Sequence, residues 1–409
     1  MPSRALHLFS LATAAATLLL IVAGGLVTSH GVGMAVPDWP NTYGYNMFFF
    51  PISQWMGGIF YEHTHRLAAS AVGLATGVLA LWLHGRRARG FLRWLGLCLL
   101  VTGLGLAFFF PARRHDGLVL LVVGSAGLLS SLVWPRGEPA PRWMRRLGLI
   151  AFGGVVVQGV LGGLRVVLFQ DEIGILHAAL AQLFFVLICA IALFTSRSWQ
   201  AWNASPARER SAAGPSGSAT WWLIAGTGLI FLQLVLGATM RHQHAGLAIP
   251  DFPLAYGRVW PAVDAQSLAA YNGRRLEVTA ANPITAFHIG LQMAHRILAL
   301  VILAAVTVTA WSLRRHFGSQ HFISRLGLLW AGLIFAQALL GAATIWSNKA
   351  ADVATGHVMV GALSLALGAL LCIVSVREFP SARRVAGGES FSEPGSAMLP
   401  GSAPAGGNT

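Results

Sequence analysis

The chain is 409 residues long, 55% hydrophobic and only 10% charged, with a formal net charge of +14 that is almost wholly arginine. With a mean hydropathy of +0.64 this composition excludes a soluble globule, and arginines scattered between apolar runs exclude a nucleic-acid-binding module. Cys98, Cys189 and Cys372 all fall inside apolar runs, so neither a disulfide framework nor a thiolate metal site is suggested, and all three read as small buried hydrophobes.

In chain order, ten runs approach the roughly 20 apolar residues that cross a bilayer: 6–28, 60–83, 91–110, 117–134, 147–169, 174–195, 219–240, 286–312, 324–346 and 356–376. They are too long and too uniformly apolar for barrel strands, which predicts an all-α polytopic membrane protein. The first run has the look of a secretory signal, but its likeness to 219–240 marks it as retained. With the N-terminus inside, the inner segments hold Arg86, Arg87, Arg89 and Arg93, then Arg136, Arg142, Arg145 and Arg146. Arg197, Arg208 and Arg210 follow, then Arg314, Arg315 and Arg325, and last Arg377, Arg383 and Arg384. The outer loops hold fewer arginines, so the bias places both termini in the cytoplasm of a cell with the protein in its inner membrane. The stretches 203–218 and 387–409 are rich in Ala, Ser, Pro and Gly and read as a cytoplasmic linker and a disordered tail.

The two halves resemble each other. Ala35-Val36-Pro37-Asp38-Trp39-Pro40 follows the first run, and Ala248-Ile249-Pro250-Asp251-Phe252-Pro253 follows the run 219–240. His65-Arg66 then matches His295-Arg296, Gln158–Gly162 matches Gln337–Gly341, and His177 matches His357. One shared order of loop, His-Arg pair and late histidine is the signature of a duplication. The second pair of histidines is 62 positions apart and the first 112, so the first half carries about 50 extra residues, enough for a helical hairpin at about 91–134. The expected architecture is two pseudo-repeated four-helix bundles, 1–202 and 219–386, with the hairpin inserted in the first.

His65, His177, His295 and His357 all lie near the outer ends of their helices. Two imidazoles facing each other across a four-helix bundle suit the axial positions of a haem iron, and glycines such as Gly162, Gly163, Gly237 and Gly341 leave room for a flat macrocycle. A zinc-type site is disfavoured because no thiolate or carboxylate accompanies three of the four. His30, His63, His242, His244 and His288 read as surface or loop residues, with His63 and His288 the foremost exceptions. Arg66, Arg165 and Arg296 have two readings, pairing with haem propionates or structural support at the interface. Three residues before His65 stands Glu62, and three before His295 stands Gln292. A carboxylate beside a haem acts as a base or stabilises developing positive charge, so Glu62 is the candidate catalytic residue and the first half the reacting one.

Together these residues resemble the haem A synthase family. The pieces are Gly25–Thr28 leading to Pro37-Asp38-Trp39-Pro40, Glu62-x-x-His65-Arg66, Gln158–Arg165, His177–Gln182, His295-Arg296 and Gly356-His357. The resemblance covers roughly 6–376 apart from the hairpin. It implies that His65 and His177 bind a substrate haem O and that His295 and His357 hold a haem b cofactor. It also implies oxidation of a methyl of haem O to the formyl of haem A by successive hydroxylations, for cytochrome oxidase biogenesis. Haem O synthase and an electron-transfer partner would then be neighbours in the membrane lipid. Some members carry a cysteine pair in the first outer loop, which is absent here from 31–60. The rival readings are a non-enzymatic di-haem b-type electron carrier and a transporter built from repeats.

Overall fold

The computed structural model describes residues 3–204, 217–274 and 283–378. The tail at 387–409 lies outside the described residues, as do most of the linker and Arg208, Arg210, Arg383 and Arg384. The linker's described ends are helical rather than irregular.

Twelve helices are present among the described residues: α1 (Arg4–Ser29), α2 (Gly57–Leu83), α3 (Ala88–Phe109), α4 (Arg114–Val133), α5 (Arg142–Val167), α6 (Asp171–Thr195), α7 (Arg197–Ala204), α8 (Gly217–His242), α9 (Ala265–Gly273), α10 (Ala286–Phe317), α11 (Phe322–Trp346) and α12 (Ala351–Glu378). Ten of them are long and apolar enough to cross a membrane. The protein is an all-α polytopic membrane protein. Its helices overrun the apolar runs by a few residues, because a helix stops where its backbone is capped and not where apolarity ends. At the start of α1, for instance, Ser3 Oγ accepts the Leu6 N–H at 3.2 Å. Hydroxyls inside the spans are satisfied within their own helix: Ser10, Thr13 and Thr17 each donate to the carbonyl four residues back, at 2.8 Å.

The short helices α7 and α9 have no counterpart among the apolar runs. α9 is set by its N-cap, Asp264, which accepts the Ser267 N–H at 2.9 Å. The Ser267 hydroxyl and amide together hold the Asp264 carboxyl below the usual carboxylate range.

α1, α2, α5 and α6 form one ring of neighbours, and α8, α10, α11 and α12 form another. The rings meet through α1 and α6 on one side and α8 and α12 on the other. Leu79, Leu83, Ala151, Phe185, Ile188 and Ile191 fill the first core, joined by Ala362 and Ala366 of α12. The second closes on Trp330, whose indole N–H donates to Ser364 O at 2.9 Å. Matched close approaches lock both halves: a Cβ at Gly148 would meet Leu83 Cδ1 at 2.8 Å, and one at Gly327 would meet Leu313 Cδ1 at 3.0 Å.

The hairpin α3–α4 packs mainly on itself. Gly96 and Gly103 of α3 oppose Gly124 and Gly117 of α4 so closely that a Cβ at any of them would lie 2.8–2.9 Å from the facing backbone. Both of its ends are tied where they leave the bundle. Ala140 N–H donates to Leu83 O at 2.9 Å and Arg86 N–H to Gly137 O at 3.0 Å. At its tip Asn46 Nδ2 donates to Asp116 Oδ1 at 2.9 Å. Cys98 on α3 is exposed rather than buried, because this hairpin turns most of its apolar surface outward; Cys189 and Cys372 are partly buried.

Candidate functional site

The four repeat histidines lie one to three turns into α2, α6, α10 and α12, all at the same end of the molecule. Each is seated against a glycine of the preceding helix in its ring. A Cβ at Gly24 would lie 3.0 Å from His65 Cε1, and one at Gly162 would lie 3.4 Å from His177 Cε1. A Cβ at Gly237 or Gly341 would lie 3.3 Å from Cε1 of His295 or His357. The same imidazole edge meets the glycine every time. These glycines therefore seat the imidazoles, whereas the sequence reading assigns Gly162, Gly237 and Gly341 to the macrocycle and does not single out Gly24. Gly163 likewise receives a protein group: a Cβ there would fall 2.3 Å from the ring of Trp39.

Three of the four histidine backbones are pinned by a glutamine amide from the neighbouring helix. Gln158 Nε2 donates to His177 O at 3.1 Å, Gln337 Nε2 to His357 O at 2.8 Å and Gln233 Nε2 to His295 O at 2.9 Å. The fourth position, facing His65, is Leu20. In the second half the His295 and His357 ring centroids are 6.5 Å apart, with the planes at 61°. In the first half His65 and His177 lie within electrostatic range of each other and of Arg165.

Nδ1 of all four rings is buried without a hydrogen-bond partner. Such orphaned polar atoms are uncommon in a finished core and mark a site built for a ligand. Among the described residues no three His, Cys, Asp or Glu side chains cluster to hold a bare metal ion. With metal–nitrogen bonds of about 2 Å, one ion fits between rings spaced as His295 and His357 are. The remaining ligands must come with the metal, as they do in a tetrapyrrole. The residues present therefore fit a haem.

The histidine end is closed by two loops with the same internal wiring. Asp38 accepts the Tyr43 and Gly44 N–H groups at 2.8 Å, and Asp251 accepts those of Tyr256 and Gly257 at 2.7 and 2.8 Å. Tyr43 and Tyr256 donate their hydroxyls to Ala35 O and Ala248 O. Gly44 and Gly257 adopt φ of +79° and +73°, the left-handed region in which glycine carries no steric cost.

Glu62 and Gln292 bind these loops to their helices. Glu62 Oε2 accepts the Val36 N–H at 2.9 Å, as Gln292 Oε1 accepts the Ile249 N–H at 2.7 Å. Glu62 Oε1 pairs with Arg66 at 2.7 Å in a buried contact. Both carboxylate oxygens are thus occupied by protein donors. Arg66 spends its other donors on Val36 O, Asp38 O and Asn41 O, and Arg296 donates to Asp251 O and Leu254 O. Of the two readings of these arginines, the geometry favours structural support. Arg165 pairs with Asp171 at 3.1 Å and keeps a buried Nε without a partner.

Of the five further histidines near the outer face, His30 and His244 are exposed, whereas His63, His242 and His288 are buried. His63 packs between Phe50 and Trp55 and contacts Thr42 Oγ1 at 3.2 Å. His242 corrects the expectation of a surface or loop role: it ends α8 beneath Gly174, where a Cβ would meet its ring at 2.4 Å. The sequence reading also passed over Arg241. The signal was there, because Arg241-His242 replaces the Thr28-Ser29 of the first half.

Fold and site define an integral membrane protein with a duplicated paired-imidazole site. The family model described as COX15-CtaA, cytochrome oxidase assembly protein, matches residues 116–369. A haem A synthase of Caulobacter vibrioides is 33% identical over 178 residues, 43% of this chain and 44% of that protein. Haem A synthases of Geobacillus kaustophilus and Lysinibacillus sphaericus are 23% and 22% identical, over 87% and 90% of this chain and 86% and 94% of their own lengths. The chain belongs to the COX15-CtaA family of cytochrome oxidase assembly proteins.

The seating of the rings makes a direct prediction. Gly341→Val puts branched carbons where the His357 edge lies and turns that ring from His295. Reconstituted with haem beside the parent, the variant is expected to keep its helical circular dichroism and to give a weaker haem spectrum. A normal spectrum would show that the glycine contact does not position the ligand.

Proposed function

We propose that this chain is a haem A synthase, an oxidoreductase that converts the methyl group of haem O to the formyl group of haem A by successive hydroxylations. Family membership and homology along most of the chain support the activity. The observation that carries the site assignment is the fourfold repetition of an imidazole edge seated on a glycine.

His65 and His177 bind the iron of the substrate, haem O, and His295 and His357 hold haem b. Bound there, haem b supplies a one-electron relay to the reacting site. The protein's own part is to hold and shield. Gln158 fixes the backbone of His177, and Trp39, lying on Gly163 one residue past the seat of His177, covers the end of the first site against water. The buried Glu62–Arg66 pair keeps the covering loop on α2 and places a fixed carboxylate one turn from His65, where it stabilises positive charge developing on the substrate. Gln292 keeps the matching loop in place without a charge, so the second half binds and does not transform. Both sites face the outer side of the inner membrane and both termini the cytoplasm, a reading the arginine distribution supports. A haem O synthase is the class of enzyme that must supply the substrate within the same lipid.

The test is expression of the full chain in a host that supplies haem O, followed by mass analysis of the extracted haems. Haem A or its hydroxylated precursor is the expected product. Unchanged haem O beside bound haem b would replace the enzyme by a di-haem electron carrier.

A further inference from the structure

Arg241 is the penultimate residue of α8, where that helix meets α1 of the other half. Its guanidinium donates to Gly25 O of α1 at 2.5 Å and to Ser29 Oγ. Ser29 Oγ is in turn 3.2 Å from Thr355 Oγ1 on α12, two residues before His357. The backbone gap that admits Thr355 is Gly25, where a Cβ would meet Thr355 Cγ2 at 2.9 Å. The next residue back, Gly24, seats His65. Arg241 therefore stands where α1, which seats His65, adjoins α12, which carries His357.

Among the described residues its charge has no counter-ion. Arg66 is paired with Glu62 and Arg165 with Asp171, but among the described residues no carboxylate forms an ion pair with Arg241. Its two acceptors are neutral. A largely buried cation is expensive unless it meets a negative group. The matched residue of the first half, Thr28, makes no such tie and spends its hydroxyl on Gly24 O of its own helix, at 2.9 Å. Arg241 also lies close enough to His357 for their charges to act on each other.

We propose that Arg241 binds a carboxylate side arm of the tetrapyrrole held between His295 and His357, and so acts as the positioning residue of the second site. This rests on the haem reading of that site. A guanidinium forms a charge-assisted pair with a carboxylate, and its positive charge near the iron disfavours the oxidised, more positive state. Removing it lowers the midpoint potential.

The test uses the full chain in a His65→Ala background, so that only the second site takes up haem, reconstituted with haem b or with its dimethyl ester. Three forms are compared: Arg241 intact, Arg241→Gln, which keeps a donor and loses the charge, and Ser29→Ala, which removes a helix tie and keeps the charge. Arg241→Gln is expected to release haem b roughly ten-fold faster, as loss of a hydrogen bond to a charged group predicts, and to lower its midpoint potential. Esterified haem should bind the Arg241 form as weakly as haem b binds the glutamine variant, and the variant should not distinguish the two haems. Ser29→Ala should match the parent. Equal release and potential with and without Arg241, or a Ser29→Ala variant that reproduces the glutamine variant, would reduce Arg241 to a tie between helices. Failure of the His65→Ala parent to take up any haem would overturn the haem reading of the second site along with this proposal.

Discussion

Replacing His357 by Ala is expected to empty the second site of haem and leave a stable, helical protein that makes no haem A. Replacing His65 or His177 is expected to leave that haem in place and still abolish haem A. The size of the effect follows from what an axial imidazole does. Loss of a group that merely orients a metal ligand costs 10–100-fold in affinity or activity, so loss of the ligand itself should lower occupancy by at least roughly 100-fold. Folding should survive, because the histidines lie off the packed centres built around Leu79 and Ile188 in one half and Trp330 in the other. Haem content, counted after extraction, reads the two sites separately. Equal haem loss from all four alanine variants would mean that ligands pair between halves rather than within them.

The second large effect concerns Glu62, where two substitutions separate two roles. Glu62→Ala leaves Arg66 buried without its carboxylate and the Val36 N–H without its acceptor. Breaking such a buried pair costs about 3 kcal/mol or more, and the variant should accumulate poorly and unfold at lower temperature. Glu62→Gln is different, because the protein already contains the answer at Gln292. An amide there accepts the loop N–H at 2.7 Å and donates to Ile249 O at 3.2 Å. The glutamine variant should therefore fold, retain haem b and bind haem O. Without the fixed negative charge, haem A formation should fall on the order of 100-fold, the scale for losing one electrostatic stabiliser. Wild-type haem A levels from this variant would leave Glu62 as a loop clamp only.

The spans were legible because membrane helices announce themselves by length and apolarity, and the repeat was legible because the loop motif and the histidines recur in order. Contacts that close over long sequence distances were not. Nothing local to Glu62 tells that the chain near Val36 returns to it, or that Arg66 turns toward three loop carbonyls. The glycines at 162, 237 and 341 were rightly singled out but given to the wrong neighbour, since a sequence shows where bulk is missing and not what fills the gap. The sequence reading of the site leaves Arg241 out. The comparison of repeat positions that exposed Glu62 against Gln292 would have exposed it too.

The two hydrogen bonds that join Leu83 to Ala140 and Arg86 to Gly137 have a consequence for how such a chain can grow. They bring the points of departure and return of the hairpin together, so the excursion begins and ends at one doorway in the wall of the bundle. A segment attached in this way adds length without altering the spacing or tilt of the helices that carry His65 and His177. The glycine faces of α3 and α4 satisfy one another, so it asks nothing of the bundle for its own cohesion. The length and sequence of this pair of helices can therefore change without disturbing the interior that carries the paired histidines.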